Sequence, residues 1–271
     1  MAFQIFTLHQ GDLMIPTGHG ISVREPVHSW LVTDGSSHLL VDSGMPPAAE
    51  VFRKWNIEGT GGGPEAMRRT LREIGLSPDD VATVVLSHLH FDHAWNLELF
   101  PRARVLVQRD ELFHAIDPVP TQRLYYTRQT YLSVLDRKRP SELTLLDGDG
   151  TVVDGVSVLK VPGHTPGMLV VIVETDRGRV ALVSDLGDNY GCWYPDDPRA
   201  VDFPLRFLRG SFRPGAIRSE SEVIYLASMS RVMKEADIVV PAHDARIPTR
   251  IPEQWFAVPD SGASSVGSAG A

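Results

Sequence analysis

VVLSHLHFDHAWN, from Val84 to Asn96, joins an apolar run to four side chains that can hold a metal ion. Ala82, Thr83, Val84, Val85 and Leu86 are apolar or β-branched and read as a buried strand ending at Ser87. Extended chain has a side-chain period of two, so His88 and His90 fall on one face, close enough to grip one ion. Asp92 and His93 follow where the chain begins to coil. Adjacent residues there point in different directions, which suits a second ion beside the first. Neutral imidazole and carboxylate are ordinary ligands for zinc, iron or manganese. The competing reading is a polar surface loop rich in histidine, but such a loop seldom caps a strand this apolar.

The composition of the 271 residues narrows the setting. A formal charge of -8 and a pI near 5.7 argue against nucleic acid or an anionic membrane as the main partner and leave a small molecule. Cys192 is the one cysteine, so an intramolecular disulfide is impossible. MAFQIFTLHQGD has no basic start and no long apolar core, so it does not read as a signal peptide. No apolar run approaches the ~20 residues of a membrane span, and the cytoplasm is the default location. The sequence says nothing of oligomeric state.

Outward from the motif, the chain alternates strands and helices. Phe3 to His9 reads as a strand, followed by a loop marked by Gly11, Asp12, Pro16, Gly18 and Gly20. Trp30 to Thr33 and His38 to Val41 form a hairpin around Asp34-Gly35-Ser36-Ser37. Asp42-Ser43-Gly44 then reads either as a polar hub beneath the metal site or as a plain strand-ending turn. Pro64 to Ile74 reads as an amphipathic helix with proline in its first turn and Gly75 at its end. Ala103 to Val107 is a strand, and a helix begins near Gln108. Residues 115–140 break the rhythm and read as a largely helical insertion that shapes a substrate pocket. Strands resume at Glu142–Leu146, Thr151–Val153, Val156–Val161, Met168–Glu174 and Arg179–Ser184. A helix over Ser219–Ala236 opens on a capping box of Ser219 and Glu222, before a last strand, Asp237–Val240. Residues 1–258 read as one domain, and 259–271, small and polar, as a flexible tail.

Three other strands also end in a ligand-type residue. VSVLKV leads to Pro162-Gly163-His164-Thr165-Pro166-Gly167, RVALVS to Asp185, and ADIVV to Pro241-Ala242-His243-Asp244. Each alone is weak, since a lone histidine after a strand is commonly a loop residue and a lone aspartate commonly caps a helix. Together with the motif they point to one site at the strand ends of an α/β fold.

SHLHFDH, PGHTPG, a strand-terminal Asp and PAHD, in that order over roughly residues 3 to 256, resemble the metallo-β-lactamase superfamily of hydrolases. The resemblance implies a four-layer αββα sandwich with a binuclear site at one edge of its two sheets. Carried over residue by residue, it implies that His88, His90 and His164 hold the first ion and Asp92, His93 and His243 the second, with Asp185 bridging. The superfamily's true β-lactamases lack the bridging aspartate, so Asp185 argues against antibiotic hydrolysis. Size, opening strand and insertion are most similar to the N-acyl homoserine lactonase group. That group tends to place a tyrosine three residues after the bridging Asp, where this chain has Asp188, with Tyr190 and Tyr194 close behind.

The function this implies is opening of a lactone or related carboxylic ester by a metal-bridging hydroxide. The cofactor is two divalent ions, zinc first, with manganese, iron or cobalt as substitutes. Asp92 is placed to pass a proton to the leaving group, and Tyr194, or else Tyr190, to donate a hydrogen bond to the reacting carbonyl. A thioesterase or glyoxalase II-like hydrolase is the rival reading, and a non-catalytic metal-binding module a third. A serine triad does not compete, because GxSxG is absent.

Overall fold

A computed structural model describes residues 2–137, 142–247 and 250–251. The chain opens with β1 (Gln4–Gly18), β2 (Ile21–Thr33) and β3 (His38–Val41), then α1 (Ala48–Trp55), β4 (Glu58–Gly61) and α2 (Gly63–Glu73). The motif strand β5 (Thr83–Val85) follows, then β6 (Arg104–Gln108), α3 (Arg109–Ile116), α4 (Arg128–Leu135) and β7 (Leu143–Leu146). The second half holds β8 (Gly150–Val153), β9 (Val156–Lys160), β10 (Leu169–Thr175) and β11 (Gly178–Ser184). It continues with α5 (Tyr190–Trp193), α6 (Glu222–Glu235), β12 (Ile238–Pro241) and β13 (Arg250–Ile251).

Among the described residues these strands make two sheets. One runs β13-β1-β2-β3-β5-β6-β7, with β4 added to β1, and the other runs β12-β11-β10-β9-β8. The alternation along each strand explains how they stack. Leu39 and Val41 of β3 and Val85 of β5 share one apolar cluster with Val171 and Val173 of β10 and Leu182 of β11. The intervening Leu40, Val84 and Leu86 turn the other way, against Met67 and Leu71 of α2 and Leu112 of α3. Val170 and Ile172 likewise face away, onto Tyr225, Met229 and Val232 of α6. Two sheets face to face, with helices on both outer faces, form the expected four-layer αββα sandwich. Each fully buried Val or Leu contributes roughly 1.5–3 kcal/mol, and a one-residue slip would turn the whole set outward.

Several boundaries differ from the sequence reading. Residues 11–18, expected in a loop, continue β1 and pair with β2 as far as Gly18 opposite Ile21. Gly11, Pro16 and Gly18 gave the loop signal, whereas Leu13 is buried in a small cluster and only the tip, residues 16–24, is exposed. The stretch expected to be a largely helical insertion holds α4, whereas residues 117–127 are turns. Helix α6 is capped by Ser221, whose hydroxyl accepts from Ile224 N, two residues after the expected Ser219. Helix α1 and strand β4 were not foreseen. The expected tail at 259–271 lies outside the described residues. Among those described, no helix is long and apolar enough to cross a membrane.

Candidate metal centre

Four strand ends meet at one edge of the two sheets. β5 runs out into His88–His93, β9 leads to His164, β11 to Asp185 and β12 to His243. Parallel pairing of β11 with β12 sets Asp185 beside His243, and Ala242 N donates to Ser184 O across 3.2 Å. Leu169 N donates to Ser87 O at 3.0 Å, which ties the second sheet to the end of the motif strand. Asp42 and Ser184 both adopt positive φ, 62° and 48°, where the chain leaves β3 and β11. Non-glycine residues seldom take this conformation, and it clusters at functional sites.

The structure brings all seven sequence-derived candidates together, and all seven are buried. Ligand-type atoms of His88, His90 and His164 lie within 4.8 Å of one another, and so do those of Asp92, His93 and His243. Asp185 stands between the two groups. Its Oδ1 is 3.1 Å from Nε2 of both His93 and His243. Its Oδ2 is 3.4 Å from Nε2 of His164 and 3.9 Å from that of His88. Nε2 of His88, His90, His93 and His243 and Oδ1 of Asp185 have no hydrogen-bond partner, although all are buried. Buried polar atoms without a partner are costly. Five of them converging from one donor set fit cations, which would satisfy them at once.

The opposite edges of four of the rings are fixed, whereas Nδ1 of His90 lies 3.0 Å from Nε2 of His164. Nδ1 of His93 is 2.8 Å from Asp42 Oδ2, that of His243 is 2.8 Å from Pro26 O, and that of His164 is 3.2 Å from Ile217 O. Nδ1 of His88 is 3.0 Å from Ser87 Oγ. A ring nitrogen held by a carbonyl or carboxylate keeps the other nitrogen's lone pair aimed inward. Asp42 also accepts from Ser87 N at 2.7 Å and Ser87 Oγ at 2.8 Å, so the hub reading of Asp42 holds over the plain turn.

A second buried carboxylate, Glu111 of α3, was not foreseen. It accepts from Leu89 N at 2.9 Å, Tyr126 Oη at 2.8 Å and Thr165 Oγ1 at 2.5 Å. Leu89 lies between His88 and His90, and Thr165 follows His164, so Glu111 joins the two loops that carry these three histidines. Gly167 is needed for that approach. A Cβ there would lie 2.1 Å from Glu111 N.

Electrostatics divide the rings. Burial holds His88 and His90 well below the ordinary imidazole pKa, so both are neutral, the form that ligates. Burial acts the same way on His93 and His243, but the carboxylates around them, Asp185 foremost, outweigh it and raise both. Half-buried Asp188, beside His164 and Asp185, is pushed up to about 8 by burial and then by Asp185 and Glu25. So much negative charge in one buried place favours cations.

A cavity of about 340 Å³ opens on this cluster, with His90, Asp92, Asp185 and Glu25 on its polar side. Leu13, Ile15, Trp55, Ile57 and Leu124 form apolar wall, and Tyr125 is the phenol on it. The expected insertion therefore does shape a pocket. Tyr194 and Tyr190, expected beside the reacting carbonyl, lie apart from this wall. Both rings are buried in the cluster between the second sheet and α6, and neither lines this cavity. Gly187, at φ 86°, turns the chain away from Asp185, and Trp193 Nε1 bonds Gly187 O at 3.0 Å, so α5 folds inward. Spacing after Asp185 could not reveal that direction.

A family model described as the metallo-beta-lactamase superfamily matches residues 23–243. An N-acyl homoserine lactonase of Bacillus cereus is 29% identical over 229 residues, covering 81% of each chain. The N-acyl homoserine lactonase AiiB of Agrobacterium fabrum is 31% identical over 191 residues, covering 65% of this chain and 69% of its own. Among solved structures, a quorum-quenching N-acyl homoserine lactone hydrolase superimposes with a TM-score of 0.68 at 24% identity, over 90% of this chain and 93% of its own. AidC, a dizinc quorum-quenching lactonase, does so with 0.64 at 17% identity, over 94% and 95%.

Proposed function

The chain belongs to the metallo-beta-lactamase superfamily, and from that premise we propose that it is a binuclear metal-dependent hydrolase that opens lactones. The supporting observation is the placement of Asp185, with one oxygen toward His93 and His243 and the other toward His88 and His164. In this reading His88, His90 and His164 would hold one ion and Asp92, His93 and His243 the other, with Asp185 available to both. Two divalent ions, zinc first and otherwise manganese, iron or cobalt, would supply a water acidic enough to attack at neutral pH and would polarise the carbonyl.

The chain's own residues do the rest. The fixed Nδ1 atoms of His93, His164 and His243 keep those rings in one tautomer and one direction. Asp92, on the cavity wall, holds a proton between the attacking water and the leaving oxygen. The apolar wall sets the ring beside the polar side and excludes water from it. A substrate of N-acyl homoserine lactone type, which the relatives' names specify for them, suits a cavity with one polar and one apolar side. The reading places the protein in the cytoplasm, which suits a chain whose one cysteine is a buried free thiol.

The test is an initial-rate panel of lactones, thioesters, β-lactams and phosphodiesters, run on protein of measured metal content. Two ions per chain, loss of activity on chelation and fastest turnover of a lactone are expected. A thioester cleaved faster than every lactone moves the protein to the glyoxalase II-like class. Fewer than about one ion per chain in active protein removes the binuclear reading.

A further inference from the structure

An ester transition state gathers negative charge on the former carbonyl oxygen, and a donor aimed at that oxygen lowers the barrier. Tyr190 and Tyr194 are buried elsewhere, and Asp188 carries no phenol. The cavity wall does hold one. Tyr125 lines the space shared by His90, Asp92 and Asp185, with its ring centroid 5.1 Å from that of His90.

Its backbone is pinned to the motif. Tyr125 O accepts from Phe91 N at 2.9 Å, and Tyr125 N donates to Gln122 O at 3.0 Å. The next residue, Tyr126, forms an isolated β-bridge with His90, and the preceding Leu124 O accepts from Trp55 Nε1 at 2.7 Å. The two neighbouring tyrosines divide sharply. Tyr126 is buried and donates to Glu111, so its proton is committed to the fold. Tyr125 is half-buried, and among the described residues its hydroxyl has no protein hydrogen-bond partner. A phenol keeps its proton at neutral pH and can donate it in a hydrogen bond.

We propose that Tyr125 is a catalytic residue whose hydroxyl donates a hydrogen bond to the carbonyl oxygen of the substrate as it becomes an oxyanion. The inference rests on the carbonyl-hydrolase reading above. It assigns the donor to the stretch between α3 and α4 rather than to the loop after Asp185. The bond strengthens as charge develops and weakens when the carbonyl is restored, with no proton transferred.

Tyr125→Phe keeps the ring and removes the donor. On protein carrying its full metal content, kcat should fall by about a hundredfold, with KM changed much less. A thionolactone, whose sulfur accepts hydrogen bonds poorly, should show a smaller penalty from the same substitution. If Tyr125→Phe keeps kcat within about twofold on a lactone that the wild type opens, the role of Tyr125 is overturned and the hydrolase reading stands. An equal penalty on lactone and thionolactone also overturns it, because a merely structural ring does not distinguish oxygen from sulfur. A fully metal-loaded wild type that is inert on lactones, thioesters and aryl esters overturns both readings.

Discussion

Asp42 and Glu111 are both fully buried carboxylates, yet they support the centre in different ways. Asp42 reaches a candidate ligand directly, through His93 Nδ1, while gathering Ser87 and, at 3.3 Å, the Ser184 hydroxyl from the other sheet. Among the described residues Glu111 bonds no candidate ligand side chain. It holds the backbone and hydroxyls beside them, at Leu89, Thr165 and Tyr126. One carboxylate therefore sets a tautomer, and the other sets the separation of two loops. Removing the first should damage one ion's affinity and the join between the sheets, and removing the second should loosen the other ion.

Asp42→Asn should have the largest effect. Asparagine tolerates the positive φ there, but its amide group must meet one of the donors that now converge on the carboxylate. Affinity for the ion held by Asp92, His93 and His243 should drop about a hundredfold, with about 3 kcal/mol lost in folding stability. Chelator competition and urea unfolding measure the two, and unchanged affinity would dissolve the contrast. Glu111→Gln should act on the opposite half, lowering affinity at His88, His90 and His164 by about tenfold. Stepwise titration with cobalt distinguishes the halves by their spectra, and a larger loss at the Asp92 half would reverse the comparison. Thr165→Val removes one of three donors to Glu111 and leaves the others, so it should cost about 1–2 kcal/mol with both ions still bound. Loss of an ion in that variant would show that the loops depend on this one bond.

The metal candidates were legible because each closes an apolar strand, and period-two alternation fixes where a strand ends. The layer order came from the family resemblance that those motifs carry, not from alternation along the strands. The supports were not legible. Glu111 sits in the helix expected from Gln108, but nothing in its own stretch marks it, because its partners lie 15, 22 and 54 residues away in the chain. The arm of β1 beyond His9 reads as a loop because its glycines, proline and polar residues dominate the local signal, and only pairing with β2 and β4 makes it a strand. The direction of the tyrosines after Asp185 was not legible, because a loop's turning direction depends on Gly187 and on packing against α6, neither of which spacing records.

That same arm has a consequence for how such an enzyme can change. Leu13, Ile15 and Pro16 come from it, Ile57 and Trp55 from the chain beside β4, and Leu124 from the stretch before α4. Apart from Phe91 within the motif, these residues that would contact a substrate's apolar part are carried by different segments from those that would hold the ions. Drift in the arm can widen, narrow or reshape the entrance while the strand ends keep their register. Much of the selectivity is thus inherited on the arm, apart from the strand ends that carry the reactivity, so a lineage can trade one substrate for another without rebuilding its chemistry.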